Sequence, residues 1–218
     1  MKYLLFLFIV TFIFPVRAEI YQWQDPKFDI SITFPDDWMR QAKEGNDLRL
    51  HILAPQAQDQ AACRIFANQD NRFLYVPAEG AVKVAQFVQD QQALQGILAN
   101  RLHHHNVHLI GYQKLAGLGK GPATAAIAQF YKDVNGQKLA MQSIVFGGYS
   151  HGLETIFQCE SQVEAWQKWY PTFMSMASSF DYPLRLATHK QGYYRDFMAD
   201  GSVFFPVGSG NAQGVVRD

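Results

Sequence analysis

The chain has 218 residues, of which 48% are hydrophobic, 14% aromatic and 17% charged. That composition supplies enough apolar material for a core and excludes a wholly disordered, collagenous or coiled-coil chain. Nineteen Lys and Arg balance nineteen Asp and Glu, so the basic excess of a dedicated nucleic-acid binder is absent.

The opening MKYLLFLFIVTFIFPVRA reads as a secretory signal peptide over residues 1–18. Lys2 supplies the positive start, Tyr3 to Phe14 form an apolar run of about 12 residues, and Val16 and Ala18 suit the −3 and −1 positions of a cut after Ala18. A membrane span needs about 20 apolar residues. This run is too short, and no later stretch qualifies, so no transmembrane segment remains after cleavage. No cysteine follows the cut, which argues against a lipoprotein. Losing Lys2 and Arg17 leaves a mature side-chain net charge of about −2. The expected location is outside the cytoplasm, in the periplasm. Cys63 and Cys159 both lie in the exported part. An oxidising compartment makes a disulfide between them the natural reading, worth up to about 4–5 kcal/mol in the chain-entropy model.

FDISITF at 28–34 alternates and reads as a strand, ended by Pro35, Asp36 and Asp37, with Trp38 as a core anchor. LRLHIL at 48–53 and CRIFA at 63–67 are two further short strands. The polar APQAQDQAA between them reads as an exposed loop. From Pro77 the period changes. Ala81, Val84, Val88, Gln91, Leu94, Leu98 and Leu102 recur at three- and four-residue steps, which predicts one amphipathic helix of about 22–25 residues. Residues 107–159 read as a four-stranded antiparallel meander, with Asn135-Gly136 as a hairpin signal. Ser161 and Glu164 match a capping box. Val163, Trp166, Tyr170, Phe173, Ala177 and Phe180 then form the apolar stripe of a last helix, which Pro171 is expected to kink or restart. After Tyr182, residues 183–218 read as an extension: a hairpin with Asp200-Gly201 at its tip, then a small, polar, mobile tail.

The order of short strands, long helix, meander and final helix resembles the PsbP-like fold. The matching pieces are FDISITFPDDW and LETIFQCESQVEAWQKWYPTFMSMASSF. That group includes an extrinsic subunit of photosystem II, a nuclear-transport regulator that binds Ran, and exported bacterial proteins. The resemblance implies an α+β domain over 19–182, an antiparallel β-sheet covered by two main helices as an α/β/α sandwich. A basic N-terminal arm and a thylakoid transit peptide are both missing, so photosynthetic function is not implied.

Three motifs invite chemistry. Gly148-Tyr149-Ser150-His151-Gly152 matches the G-x-S-x-G nucleophile elbow of hydrolases, which needs a strand-to-helix turn. Here a strand is expected on both sides, and His189, preceded by Asp181, is the sole later histidine. The alternative is a hairpin turn. His104 and His108, within His103, His104, His105 and His108, sit at i, i+4 if the helix persists, a workable metal spacing. A third ligand would come only through folding, from His51, His151 or Glu154. The bland alternative is a solvated helix C-terminus. Gly117-Leu118-Gly119-Lys120-Gly121 looks like a phosphate loop, but Gly121 stands where Ser or Thr is needed and Pro122 where a dinucleotide motif needs Gly. It reads as a strand connection, and Asp36 and Asp37 as a turn. No motif calls for a cofactor. The expectation is a secreted, non-enzymatic protein acting through a protein partner or envelope complex. The competing readings are a serine hydrolase using Ser150 with His189, and a metal-binding protein using His104 and His108.

Overall fold

Alternation in the strands decides how this chain layers. The computed structural model describes residues 19–42, 45–72, 78–102, 104–150 and 152–182. The expected signal peptide (1–18) and C-terminal extension (183–218) lie outside the described residues. β1 (Ile20–Gln24) and β2 (Ser31–Pro35) pair as a separate antiparallel hairpin. β3 (Met39–Arg40), β4 (Leu48–Leu53), β5 (Ala62–Gln69), β6 (His105–Leu118), β7 (Gly121–Val134), β8 (Gln137–Ser150) and β9 (Leu153–Gln162) form one antiparallel sheet in the order β3-β4-β5-β9-β8-β7-β6.

Successive strand residues point to opposite faces. Cys63, Ile65, Ile144, Phe146, Phe157 and Cys159 are buried in the core shared with α3 (Trp166–Ser179) and the β1–β2 hairpin. Phe66, Ala126, Val145 and Ile156 point the other way, beneath Leu94 and Leu98 of the second helical layer. The α+β sandwich expected from the sequence is therefore present, with helices on both faces of an antiparallel sheet. No helix among the described residues is long and apolar enough to cross a membrane.

That second layer departs from the expected single long helix. It is α1 (Ala78–Val88), then α2 (Gln91–Gly96), which passes into a π-helical turn over Ile97–Arg101. The break has a local cause. Asp90 is extended (φ −71°, ψ 177°) and its side chain accepts from the Ala93 N–H, a new N-cap. The Gln89 carbonyl meanwhile accepts from the Thr124 hydroxyl at 2.6 Å.

The capping box is not formed either. Ser161 lies inside β9, buried, with Oγ donating to the Gln162 carbonyl, and Glu164 falls in a 3-10 turn ahead of α3. α3 runs through Pro171 as one element. Pro171 and Gln167, whose carbonyl loses its partner, are both on the exposed side, open to solvent. Trp166, Trp169, Phe173, Met176 and Ala177 make the buried stripe.

Three tight turns hold the meander. Asn135 and Gly136 both have positive φ (52° and 81°), as the hairpin signal requires. The glycine-rich connection is the β6–β7 turn, and it packs on the end of the chain. A Cβ at Gly119 would stand 1.6 Å from the Phe180 carbonyl oxygen, and one at Gly121 2.4 Å from the Tyr182 ring. Asp181 exchanges backbone hydrogen bonds with Ser31, at 2.9 and 3.1 Å.

Candidate functional site: a buried charge cluster and an open sheet edge

On the α2 face, the parity that buries Ile156 also turns Gln158 and Glu160 inward. Glu160 is fully buried, and both of its carboxylate oxygens accept hydrogen bonds. Lys132 Nζ donates to Oε1 at 2.9 Å, and Arg64 Nη1 stands 3.1 Å from the same oxygen. Gln158 Nε2 donates to Oε2 at 2.9 Å. His104 Nε2 lies 3.1 Å from Oε2, at ion-pair distance though not aligned as a hydrogen bond. The His104 ring stacks on Phe130 at 3.7 Å, and its backbone N–H donates to the Leu98 carbonyl. One carboxylate thus joins β5, β7, β9 and the end of the helical layer.

Burial works to raise the Glu160 pKa, but Arg64, His104 and Lys132 together outweigh it and hold the carboxyl well below its usual range. His51, opposite Arg64 in the β4–β5 ladder, moves the other way in charge. Burial and the Arg64 cation, with a smaller push from Lys132, lower it to about 4 against the opposing pull of Glu160. A carboxylate that is fully buried and held ionised by Arg64 and Lys132 is shut away from any substrate proton. The arrangement suits a fastener between layers better than an acid or base.

The residues singled out in the sequence are distributed as follows. Ser150 ends β8, and Leu153 opens β9 directly after the turn, so the elbow is a β-hairpin and no helix follows the serine. His151 and His189 lie outside the described residues, as does His103. His104 and His108 do not share a helix face, because the helix ends at Arg101 and β6 begins at His105. His104 stacks on Phe130, whereas His108 is opposite Gln129, the neighbouring residue of β7. The two histidines therefore sit on opposite faces of the sheet. Of the third-ligand candidates, His51 faces Arg64 and Glu154 accepts from Gln89 Nε2. Among the described residues no three His, Cys, Asp or Glu side chains converge on one point. Cys63 and Cys159 are directly opposite in the β5–β9 ladder and form a disulfide, with Cα atoms 4.1 Å apart. Asp36 and Asp37 are exposed turn residues. Arg64, Lys132 and Glu160 went unnoticed in the sequence; the available signal was their inward parity on strands that are otherwise apolar.

The two sheet edges differ. The outer side of β4 is covered by β3, through Met39 opposite Leu53 and Arg40 opposite Ile52, and the Gln41 N–H donates to the His51 carbonyl. β6 pairs with β7 alone, and among the described residues no strand lies beyond it. It carries exposed Ile110 (48%) and Leu115 (64%), with Tyr131 of β7 (48%) behind. Three register shifts interrupt its ladder. Two of its carbonyls are occupied from the helical layer: Gln95 Nε2 donates to Val107 O, and Gln86 Nε2 to Lys114 O.

No protein-family model matches the chain, and no curated protein matches it. Solved structures similar to it in fold include cyanobacterial PsbP from Synechocystis, at 11% identity and a TM-score of 0.49 over 76% of this chain and 94% of that one. The Ran-binding protein Mog1p of Saccharomyces cerevisiae is similar at 6% identity and a TM-score of 0.49, over 78% and 98%. LpqN of Mycobacterium tuberculosis, described as involved in cell envelope biogenesis, is similar at 15% identity and 0.44, over 75% and 92%. These are likenesses of overall strand and helix order.

Proposed function

We propose that the chain is an exported, non-enzymatic protein that works by binding a protein partner in the cell envelope. The observation that carries this reading is β6, a 14-residue outer strand with exposed Ile110 and Leu115 that, among the described residues, pairs on one side only. Unpaired strand edges are ready templates for another chain. Two further observations support it. The Cys63–Cys159 disulfide suits an oxidising compartment, and Ser150 sits in a hairpin turn that does not lift a nucleophile above a parallel sheet.

The test is reversible crosslinking in intact cells, then isolation of the native protein from the envelope fraction. A single protein recovered in fixed ratio is the expected result. Recovery of this chain alone, at every crosslinker length, refutes the reading. The mature chain should begin at Glu19 by intact mass, and a product retaining residues 1–18 in the membrane would defeat the exported assignment.

A further inference from the structure

We propose that α3 is a strap over the Cys63–Cys159 disulfide, latched by Tyr182, so that the bond meets thiols only when the strap lifts. The gate is independent of the partner proposed above. Cys63 and Cys159 are 1% and 0% exposed and share their core with Phe173, Met176 and Ala177 of α3. Met176 Sδ stands 3.7 Å from Cys63 Sγ. Exchange needs a thiolate at one of the two sulfurs, and a charged nucleophile does not enter a closed apolar core. Access to the bond therefore requires α3 to move, as a local opening of the kind that precedes global unfolding.

The fastening of α3 is concentrated where the helix ends, close to Met176. Ala177 O accepts from the Gly119 N–H at 2.8 Å, and Ser179 Oγ from the Thr33 N–H at 3.0 Å. Tyr182 then lies in a notch across β7, β8 and β9. A Cβ at Gly121 would stand 2.4 Å from its ring and one at Gly148 2.4 Å from its hydroxyl, which is 2.8 Å from Thr155 Oγ1. At the far end of α3, Trp169 Nε1 donates to Asp59 at 2.8 Å, a pivot about which the Tyr182 end can rise. The sheet makes the redox change reversible. Ladder pairing continues on either side of the bond, through Ala62 opposite Glu160 and Arg64 opposite Gln158, so the two cysteines stay side by side when it opens. The reductant is a dithiol. One of its thiolates attacks a cysteine sulfur, the S–S bond breaks and the other cysteine leaves as thiolate. The second thiol then attacks the mixed disulfide and frees the first cysteine. Two electrons and two protons pass to the cysteines, and the dithiol becomes a disulfide.

The experiment treats the full mature, oxidised chain with dithiothreitol under native conditions and counts released thiols by alkylation and mass. In parallel, dilute hydrogen peroxide reports which methionines become accessible. Met176 lies beside the disulfide, whereas Met141, also buried, shares the parity of Val145 and so lies on the opposite face of the sheet. Tyr182→Ala should speed reduction about a hundredfold by emptying the notch. Tyr182→Phe, which keeps the ring and loses the bond to Thr155, should speed it about fivefold. Oxidation of Met176 should rise in step with reduction in both variants, while that of Met141 stays at the wild-type rate. Wild-type reduction as fast as in the urea-unfolded chain would show that the bond is not sealed and would overturn the inference. So would an unchanged rate in both variants, or Met141 oxidising in step with Met176, which would mean that the bond opens by global unfolding. If Tyr182→Ala does not fold, Tyr182→Phe decides the matter by the same readouts.

Discussion

Replacing Glu160 with Gln removes the anion that Arg64 and Lys132 share while keeping the side chain's shape. Breaking a buried ion pair by deleting one partner costs about 3–5 kcal/mol, because a charge is left without compensation. Here neither stranded cation is sealed. The Arg64 side chain is 14% exposed and that of Lys132 29%, so both can turn partly to water. The lower end of the range applies, about 3 kcal/mol. With a urea dependence of about 2 kcal/mol/M, the midpoint of Glu160→Gln should fall by about 1.5 M at pH 7. The pH dependence gives a second readout. Glu160 has a folded pKa below its unfolded value, so its stabilisation is present above about pH 4.5 and is lost as pH falls through the folded value. The gap between wild type and Glu160→Gln should therefore narrow in acid. A midpoint shift under about 0.5 M, or a gap that widens below pH 4.5, would refute the view of Glu160 as the fastener between layers.

Reducing the Cys63–Cys159 bond, which joins residues 96 apart, should cost roughly 2–5 kcal/mol in urea titrations of oxidised against reduced protein; peptide mapping that finds two free thiols in envelope-purified material would contradict the bridge. His51 is depressed to about 4 from 6.5, so the unfolded chain takes up its proton first and wild-type stability should fall as pH drops from 6.5 toward 4. His51→Gln should flatten that limb, and an unchanged profile would remove His51 as the cause. Ser150→Ala should change stability by no more than about 0.5 kcal/mol, and a fluorophosphonate probe should leave Ser150 unlabelled; a labelled serine would revive hydrolysis. Asp90→Ala should lose about 1 kcal/mol, with faster exchange at the Ala93 amide, unless the α1–α2 break is set elsewhere.

Local signals carried much of the architecture. LRLHIL coincides with β4, and Asn135-Gly136 forms the turn its residue pair demands. The expected long helix failed at Asp90, where an apolar period that continues through the break hid the N-cap. Ser161 misled in the opposite sense. A serine and a glutamate three apart look like a cap, but Ser161 stays in the ladder opposite Gln142. β1 escaped notice because IYQWQ shows little apolar alternation, with only Trp23 buried. The charge cluster was least legible. Arg64, Lys132 and Glu160 are far apart in sequence, and they meet only because β5 and β8 flank β9 and β7 lies one strand further. A run of histidines says nothing about which one is buried; the π-helical turn at Ile97–Arg101 decides that for His104.

The β1–β2 hairpin belongs to the first part of the domain to emerge during synthesis, yet it is secured by the last. Ile30, Ile32 and Phe34 bury against a core that includes Phe173, Met176 and Phe180. The Thr33 N–H reaches Ser179 Oγ across 146 positions, and Ser31 is tied to Asp181. A nascent chain therefore carries an apolar strand with no place to settle until nearly the whole domain has been made, the kind of long-range closure that slows folding and exposes intermediates. The glycine bed at Gly119 and Gly121 serves this final step, since the segment from Phe180 to Tyr182 must lie flush on the β6–β7 turn before residue 181 can reach back to residue 31. A methyl group at Gly119 would be felt first at the other end of the polypeptide, as an N-terminal hairpin that opens to proteases while the meander stays intact.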